Sequence, residues 1–327
     1  MISVALCTFN GEKYISEQLD SILSQSVPVD EIIVCDDCST DATKQILRQY
    51  AMQFPFIRLI ENERNLGYIR NFEKAIRLCQ GDYIFLSDQD DIWHSDKVAK
   101  SVSYLSGSGM YGAFTNARII DHEGAFLGWT LFGVLQLEPY IQKGFLQKNI
   151  FGLLCFRGNF VTGATLVLTR MGKEKVLPFK TPLNTPHPII HDGWIALRLS
   201  GMNKLGFIDT PLIDYRTHSE QQIGLNVTFP PPLRPDFFAA CLEGKGDINQ
   251  LMRRRLSFGR LSKSLGFGEN ERRLSYHTYF EFWKKNRSKG PKILFEWILL
   301  LLTEVFVWLK LDSSRFRKYY LKLSKII

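Results

Sequence analysis

The sequence predicts an α/β protein whose mostly parallel sheet is flanked by helices. Over the first hundred residues, short apolar runs alternate with helical patterns at the spacing of right-handed βαβ crossovers. The apolar runs lead into polar residues, as strands do when their carboxyl ends face a ligand crevice. A length of 327 residues with 45% apolar content is enough to bury a sizeable core.

"ISVALCTF" reads as the first strand, residues 12–26 as an amphipathic helix and "EIIVCDD" as the second strand. A helix over 41–53 follows, which Ser39 or Asp41 could cap. Next come "FIRLIEN" as a strand, 68–79 as a helix and "DYIFLSD" as the fourth strand. Farther on, "YGAFTNARII" and "GATLVLTR" read as strands around a helical "KGFLQKNIF". The proline-rich "LPFKTPLNTPHPII" reads as a loop, and "HDGWIALRLS" as a helix opening at His191 and Asp192. "FIDTPLIDYRTH" reads as a final edge strand and loop, and composition shifts at "TFPPPLRPDFF", which divides a body over 1–228 from a region over 229–327.

The two regions differ in charge. Residues 221–327 carry 20 Lys and Arg against 9 Asp and Glu, whereas residues 1–220 carry 21 against 24. A near-neutral body with a basic, aromatic tail fits attachment to an anionic surface better than nucleic-acid binding. The tail contains "KILFEWILLLLTEVFVWLKL", whose apolar stretch from Ile293 to Leu309 is interrupted by Glu296 and Glu304. That is short and charged for a membrane span. A helix lying in the membrane interface, anchored by Trp297, Trp308 and flanking lysines, fits better; the competing reading packs it on the body. The six cysteines are scattered, the Cys35/Cys38 pair stands alone, and no charged leader precedes the first strand. The expected compartment is therefore the reducing cytosol.

The stretch "FLSDQDDIWHSDK" places Asp88, Asp90 and Asp91 at a strand end. Neighbouring carboxylates raise the free energy of their ionised forms unless a cation neutralises them. Asp88 and Asp90 are two apart and share a side of an extended segment, with Asp91 pointing away. Mg²⁺ or Mn²⁺ takes one or two carboxylates and fills its shell with water and phosphate oxygens. The competing reading is a solvated turn capping the helix after Trp93.

Together "ALCTFNGEKYISEQLDSILSQS", "IIVCDDCSTDAT", "NERNLGYIRNFEKAI", "GDYIFLSDQDDIW" and "HDGW" resemble the family 2 glycosyltransferases of the GT-A fold, over about residues 1–220. "LSDQDDIW" is similar to the bacterial subgroup that includes O-antigen and capsule rhamnosyltransferases. The resemblance implies a nucleotide-binding half over 1–100 and an acceptor half over 101–228. It implies that Asp37 contacts the nucleotide base, with Thr8, Phe9 and Asn10 lining the same pocket and Arg70 or Asn71 near the nucleoside. Asp88 and Asp90 match the DxD metal motif, with Asp90 the direct ligand and Asp88 also near the nucleotide.

Asp192 matches the catalytic base, and the acidic residue usual before it is here His191. His218, with Arg216 as its cationic partner, falls where related enzymes close the site and could reach the metal or diphosphate. Trp194 is the expected stacking platform for an acceptor sugar, with His191 beside it. The implied activity is inverting, metal-dependent transfer, with rhamnose from dTDP-rhamnose as the expected donor and UDP-sugars as alternatives. The implied acceptor is a lipid-linked saccharide at the cytoplasmic face of a bacterial inner membrane. Two rivals are a nucleotidyltransferase, for which "TFNGEKY" lacks a glycine-rich phosphate loop, and a membrane-attached binding module without turnover.

Overall fold

The computed structural model describes residues 1–138, 141, 146, 150–180, 189–219 and 221. The tail over 229–327, most of the proline-rich loop and the start of "KGFLQKNIF" lie outside the described residues. Among the described residues no helix is long and apolar enough to cross a membrane.

In order, the elements are β1 (Ile2–Thr8), α1 (Ile15–Leu23), β2 (Glu31–Asp36), α2 (Thr43–Gln53), β3 (Ile57–Glu61), α3 (Tyr68–Leu78) and β4 (Tyr83–Ser87). Then come β5 (Ile92–Trp93), α4 (Lys97–Ser108), β6 (Gly112–Ile120), β7 (Phe126–Thr130), α5 (Leu131–Val134) and α6 (Ile150–Arg157). A 3₁₀ turn (Gly163–Thr165), β8 (Leu166–Thr169), α7 (Arg170–Val176), α8 (His191–Gly201) and β9 (Leu205–Arg216) complete them.

The sheet order is β3-β2-β1-β4-β8-β6-β9-β5, with β7 paired to β6. The first four strands are mutually parallel. Beyond β4 the sheet is mixed, because β8 runs antiparallel to both β4 and β6 while β6 and β9 are parallel. β9 is not the edge strand its sequence suggests. It lies between β6 and the two-residue β5, which pairs Ile92 with Asp214 and Trp93 with Ile213.

Every residue of β1 and β2 is buried, as expected of a sheet with both faces covered. Alternation sorts their side chains. Ala5, Cys7, Ile33 and Cys35 join Phe72 and Ile76 of α3 and Trp194, Ile195 and Leu199 of α8 in one core. Val4, Leu6, Ile32 and Val34 point the other way, toward Ile15, Leu19 and Ile22 of α1, Leu47 of α2 and Val98 of α4. Period-2 strands thus separate two helical layers, and the strand ends remain open for a site between them.

α2 starts at Thr43 rather than at 41, and its N-cap position is Ala42, without a side-chain cap bond; Asp41, one residue earlier, still accepts through Oδ1 from the Thr43 backbone N–H and hydroxyl. Cys35 and Cys38 are free thiols, and Cys38 Sγ donates to the Asn62 carbonyl.

In the first turn of α7, a Cβ on Gly172 would lie 2.0 Å from the Tyr111 carbonyl oxygen. Only a residue without a side chain lets α7 rest on the start of β6. Gly172→Ala is expected to lower stability by about 1–3 kcal/mol, as overpacking does. Urea unfolding at constant m-value reads this directly; an unchanged midpoint would show that α7 shifts freely.

Candidate active site

Beyond the carboxyl ends of β1, β2 and β4 lies a cavity of about 1180 Å³. Thr8, Phe9, Asn10, Asp37, Asn71, Asp88, Asp90, His191, Asp192 and His218 all line it. These side chains come from positions more than 200 residues apart in the chain. Parallel strands side by side, and a helix entering from the far half of the sheet, bring them together.

At one end, Asn10 has φ 50°, the left-handed conformation that asparagine tolerates better than most residues. Its Oδ1 accepts from the Thr40 N–H at 2.8 Å, tying the β1 end to the β2 loop. Thr8 Oγ1 donates to Asp36 Oδ2 at 2.9 Å. Asp37 has a buried carboxylate that accepts from Asn62 Nδ2 and from the N–H groups of Leu66 and Gly67, each at 2.8 Å. It therefore organises the loop before α3 as well as facing the cavity. Asn71 donates to the Cys35 carbonyl and accepts from Asn62 Nδ2.

Gln89 is a contributor that sequence reasoning missed. Its amide bridges the Phe9 backbone in both directions, accepting from N–H at 2.8 Å and donating to the carbonyl at 3.1 Å. A Cβ on Gly11 would meet Gln89 Oε1 at 2.4 Å, so the glycine makes room for this brace.

Two residues expected at the cavity do not line it. Arg70 does not line the cavity: its guanidinium pairs with Glu73 and reaches the Phe179 carbonyl. Trp194 does not line it either. Helix periodicity turns the indole into the core, 2% exposed, where Nε1–H donates to the Val176 carbonyl at 2.8 Å.

At the strand tip, burial and the neighbouring Asp90 push Asp88 up to about 7. Asp90 Oδ2 lies 2.9 Å from His218 Nε2. Asp91 points away from the cavity, as expected, but into the protein: Oδ1 accepts from the Arg216 N–H at 3.1 Å, and Oδ2 has no partner among the described residues. Arg216 is not a cationic partner for His218. It is buried beneath the tip, donating to the Asp90 carbonyl at 2.8 Å, pairing with Glu17 and lying 4.6 Å from the Tyr14 ring centre.

Among the described residues no group of three or more His, Cys, Asp or Glu converges as a ready metal cage. Two carboxylates from one strand tip do fit Mg²⁺ or Mn²⁺, which take few protein ligands and complete their shells with water and phosphate. The electrostatics agree. A half-buried Asp88 that resists ionisation alone is a position that a cation would relieve.

Asp192 stands at the start of α8 in the same cavity, away from the DxD tip in sequence. Burial pushes it up to about 7, against backbone N–H bonds from Gly193 and Gly163 and a 3.0 Å bond from Asn159 Nδ2. His191 lines the cavity but is closely packed. It stacks on Phe72 with ring centres 4.1 Å apart, neither ring nitrogen has a hydrogen-bond partner among the described residues, and burial pulls it down to about 3. It is a neutral wall beside the carboxylate.

Residues 3–163 match the model for Glycosyl transferase family 2. The chain carries a family 2 glycosyltransferase domain. Along nearly its whole length the chain is similar to the dTDP-rhamnosyl transferase RfbG of Shigella flexneri, at 26% identity over 314 residues, 92% of this chain and 100% of that one. It spans about half the length of other curated relatives, such as TuaG of Bacillus subtilis, named for teichuronic acid biosynthesis, at 34% identity over 124 residues, 38% of this chain and 49% of that one. Among solved structures, it is similar to Staphylococcus aureus TarS 1–349 in complex with UDP-GlcNAc, with TM-score 0.52, 17% identity and coverage of 87% and 81%. The mannosyltransferase PcManGT of Pyrobaculum calidifontis, in complex with GDP-Man and Mn²⁺, gives TM-score 0.50, 17% identity and coverage of 97% and 82%. These likenesses show the fold, which is of the GT-A type.

The raised Asp192 carboxyl gives a sign to the stability of the family domain. Unfolded, the group loses its proton near 3.8; folded, it keeps it to about 7. Its contribution is therefore full below about pH 4 and is lost as pH rises through 7. In EDTA, Asp192→Asn is expected to raise the melting temperature above that of the parent at pH 8 and to leave it nearly unchanged at pH 4. Equal gains at both pH values would contradict the assignment.

Proposed function

We propose that this chain is an inverting glycosyltransferase that moves a sugar from a nucleotide-sugar to a saccharide acceptor, assisted by a divalent cation, in the assembly of a bacterial surface polysaccharide. The observation that carries this reading is the shared cavity, which Asp88 and Asp90 of the strand tip and Asp192 of α8 all line. A nucleotide-binding module needs the first pair and has no use for a buried, hard-to-ionise carboxylate apart from it.

Asp90, with Asp88, would hold Mg²⁺ or Mn²⁺; the bound cation offsets the negative charge that grows on the leaving diphosphate. Asp37, Thr8, Phe9 and Asn10 receive the nucleoside at the β1 and β2 ends. Asp192 takes the proton from the attacking acceptor hydroxyl. A carboxyl group titrating at about 7 suits that role, because a general base works best near the operating pH. The hydroxyl oxygen forms its bond to the anomeric carbon as the bond to the diphosphate oxygen breaks, in a single displacement that inverts the centre. His218 bonds Asp90 from the segment after β9 and helps fix the tip.

For the donor we favour dTDP-rhamnose, supported by the end-to-end similarity to the Shigella dTDP-rhamnosyl transferase. Mn²⁺ in the Pyrobaculum mannosyltransferase supports a cation in general. A lipid-linked acceptor and peripheral attachment to the cytoplasmic face of the inner membrane rest on the basic, apolar sequence of the region over 229–327.

The test is nucleotide release from a panel of dTDP- and UDP-sugars with Mn²⁺ and a bacterial membrane extract. Release is expected with dTDP-rhamnose, and release from a UDP-sugar alone would replace the donor. Asp192→Asn should lower transfer by about 10²–10⁴-fold, the usual contribution of a general base, while dTDP binding persists. EDTA should abolish transfer, and Asp90→Ala should not be rescued by added Mn²⁺. Transfer by Asp192→Asn at the parent rate would remove the base from the mechanism.

A further inference from the structure

We infer that Asn159 is a positioning residue for the transfer, whose amide fixes the Asp192 side chain and favours its carboxylate form; this rests on the reading of Asp192 as the base. Asn159 lies in the turn after α6, two residues past Arg157, where Gly158 has φ 89°. Its side chain makes three hydrogen bonds. Oδ1 accepts from the Val161 N–H at 3.1 Å, and Nδ2 donates to the Val161 carbonyl at 2.9 Å and to Asp192 Oδ1 at 3.0 Å.

The first two bonds remove the usual ambiguity about which way an amide faces. A backbone N–H must meet the oxygen and a backbone carbonyl must meet the nitrogen, so the second hydrogen on Nδ2 points at Asp192. The turn thus presents a donor of fixed direction, at no cost in further side-chain freedom. Gly193 reinforces the arrangement by donating its backbone N–H to the same Asp192 Oδ1.

The other groups facing Asp192 disfavour its ionisation or leave it unaffected. Asp88 at the β4 end repels it, the Tyr68 and Tyr215 hydroxyls are kept protonated in part by its charge, and His191 is a neutral ring. Side-chain help therefore comes from Asn159, alongside the backbone N–H groups of Gly163 and Gly193. The sequence signal was faint: a lone asparagine in "RGNFVTGAT" gains its meaning only once the turn meets α8.

Asn159→Asp keeps the size and the Val161 N–H bond but sets a second carboxylate against Asp192. The test is carboxyl ¹³C NMR titration of the full chain in EDTA, with the Asp192 signal assigned by its loss in Asp192→Asn. In Asn159→Asp the new carboxyl and Asp192 titrate as a coupled pair. The expected result is that the upper step of that pair lies at least one pH unit above the parent Asp192 step, a tenfold change in proton affinity.

Asn159→Ala, which removes the donor, should move the Asp192 step upward as well. For a step moved up by about one pH unit it should also cut kcat roughly fivefold at pH 7 and recover at pH 9, with the donor KM unchanged. A step that stays at the parent pH in both variants overturns the inference, as does activity lost equally at all pH values. If the parent chain transfers no sugar from any donor while the step still moves, the base reading fails and the Asn159–Asp192 linkage stands.

Discussion

The structure depends on an acidic strand tip of three carboxylates that its own protein meets with one buried lysine and one histidine. Asp88, Asp90 and Asp91 follow β4 within four residues, and Asp90 and Asp91 are buried. The lysine that acts on Asp88 and Asp91 from beneath is Lys97, itself buried, with Nζ donating to the Ala164 carbonyl at 2.8 Å and lying 4.0 Å from the Trp93 ring centre. Burial pulls this ammonium down to about 7, so it is a weak counter-charge. The remaining imbalance faces the cavity, where a cation and a diphosphate would meet it. A tip neutralised from within would have no such use.

The remainder of the fold holds that tip in place. Arg216 at the end of β9 bonds the Asp90 carbonyl and, through its N–H, the Asp91 carboxylate. The short pairing of β5 with β9 draws the chain after the tip against the far half of the sheet. On that half, Arg118 grips Asp214 through two bonds of 2.6 Å, and His94 lies 2.7 Å from the same carboxylate. This pairing holds Asp214 down to about 2, although burial opposes it. Antiparallel β8 then leads into α7, and α8 starts at the cavity wall. The mixed sheet is thus what sets Asp192 in the same cavity as the DxD tip.

Much of this was legible in sequence because it is local. Alternation of strand and helix, polar residues at strand ends and the DxDD cluster are readable within a few residues of one another. So were Asp37, Asn10 and Asp192, whose motifs sit at element ends. The misreadings involve direction and distance. Trp194 lies two residues past Asp192 on a helix, which turns it away from the cavity by about 200°. Arg70 faces Glu73 one turn along α3, a local ion pair that competes with any ligand. Arg216 and Gln89 act on residues 80 or more positions away, and Asn159 acts from a turn that forms only after folding. No periodicity encodes such contacts. The order of strands beyond β4, and so the inner position of β9, has the same cause.

The central claim is most directly tested by locating the cation. Crystals of the full chain grown with Mn²⁺ and dTDP, measured at the manganese absorption edge, should give an anomalous peak against the Asp90 carboxylate, beside Asp88 and open to the cavity that Asp192 lines. Coordinating oxygens should lie about 2.0–2.3 Å away, as hard divalent ions require. A bound nucleotide with no peak at the tip, or a peak held by other residues, would contradict the account.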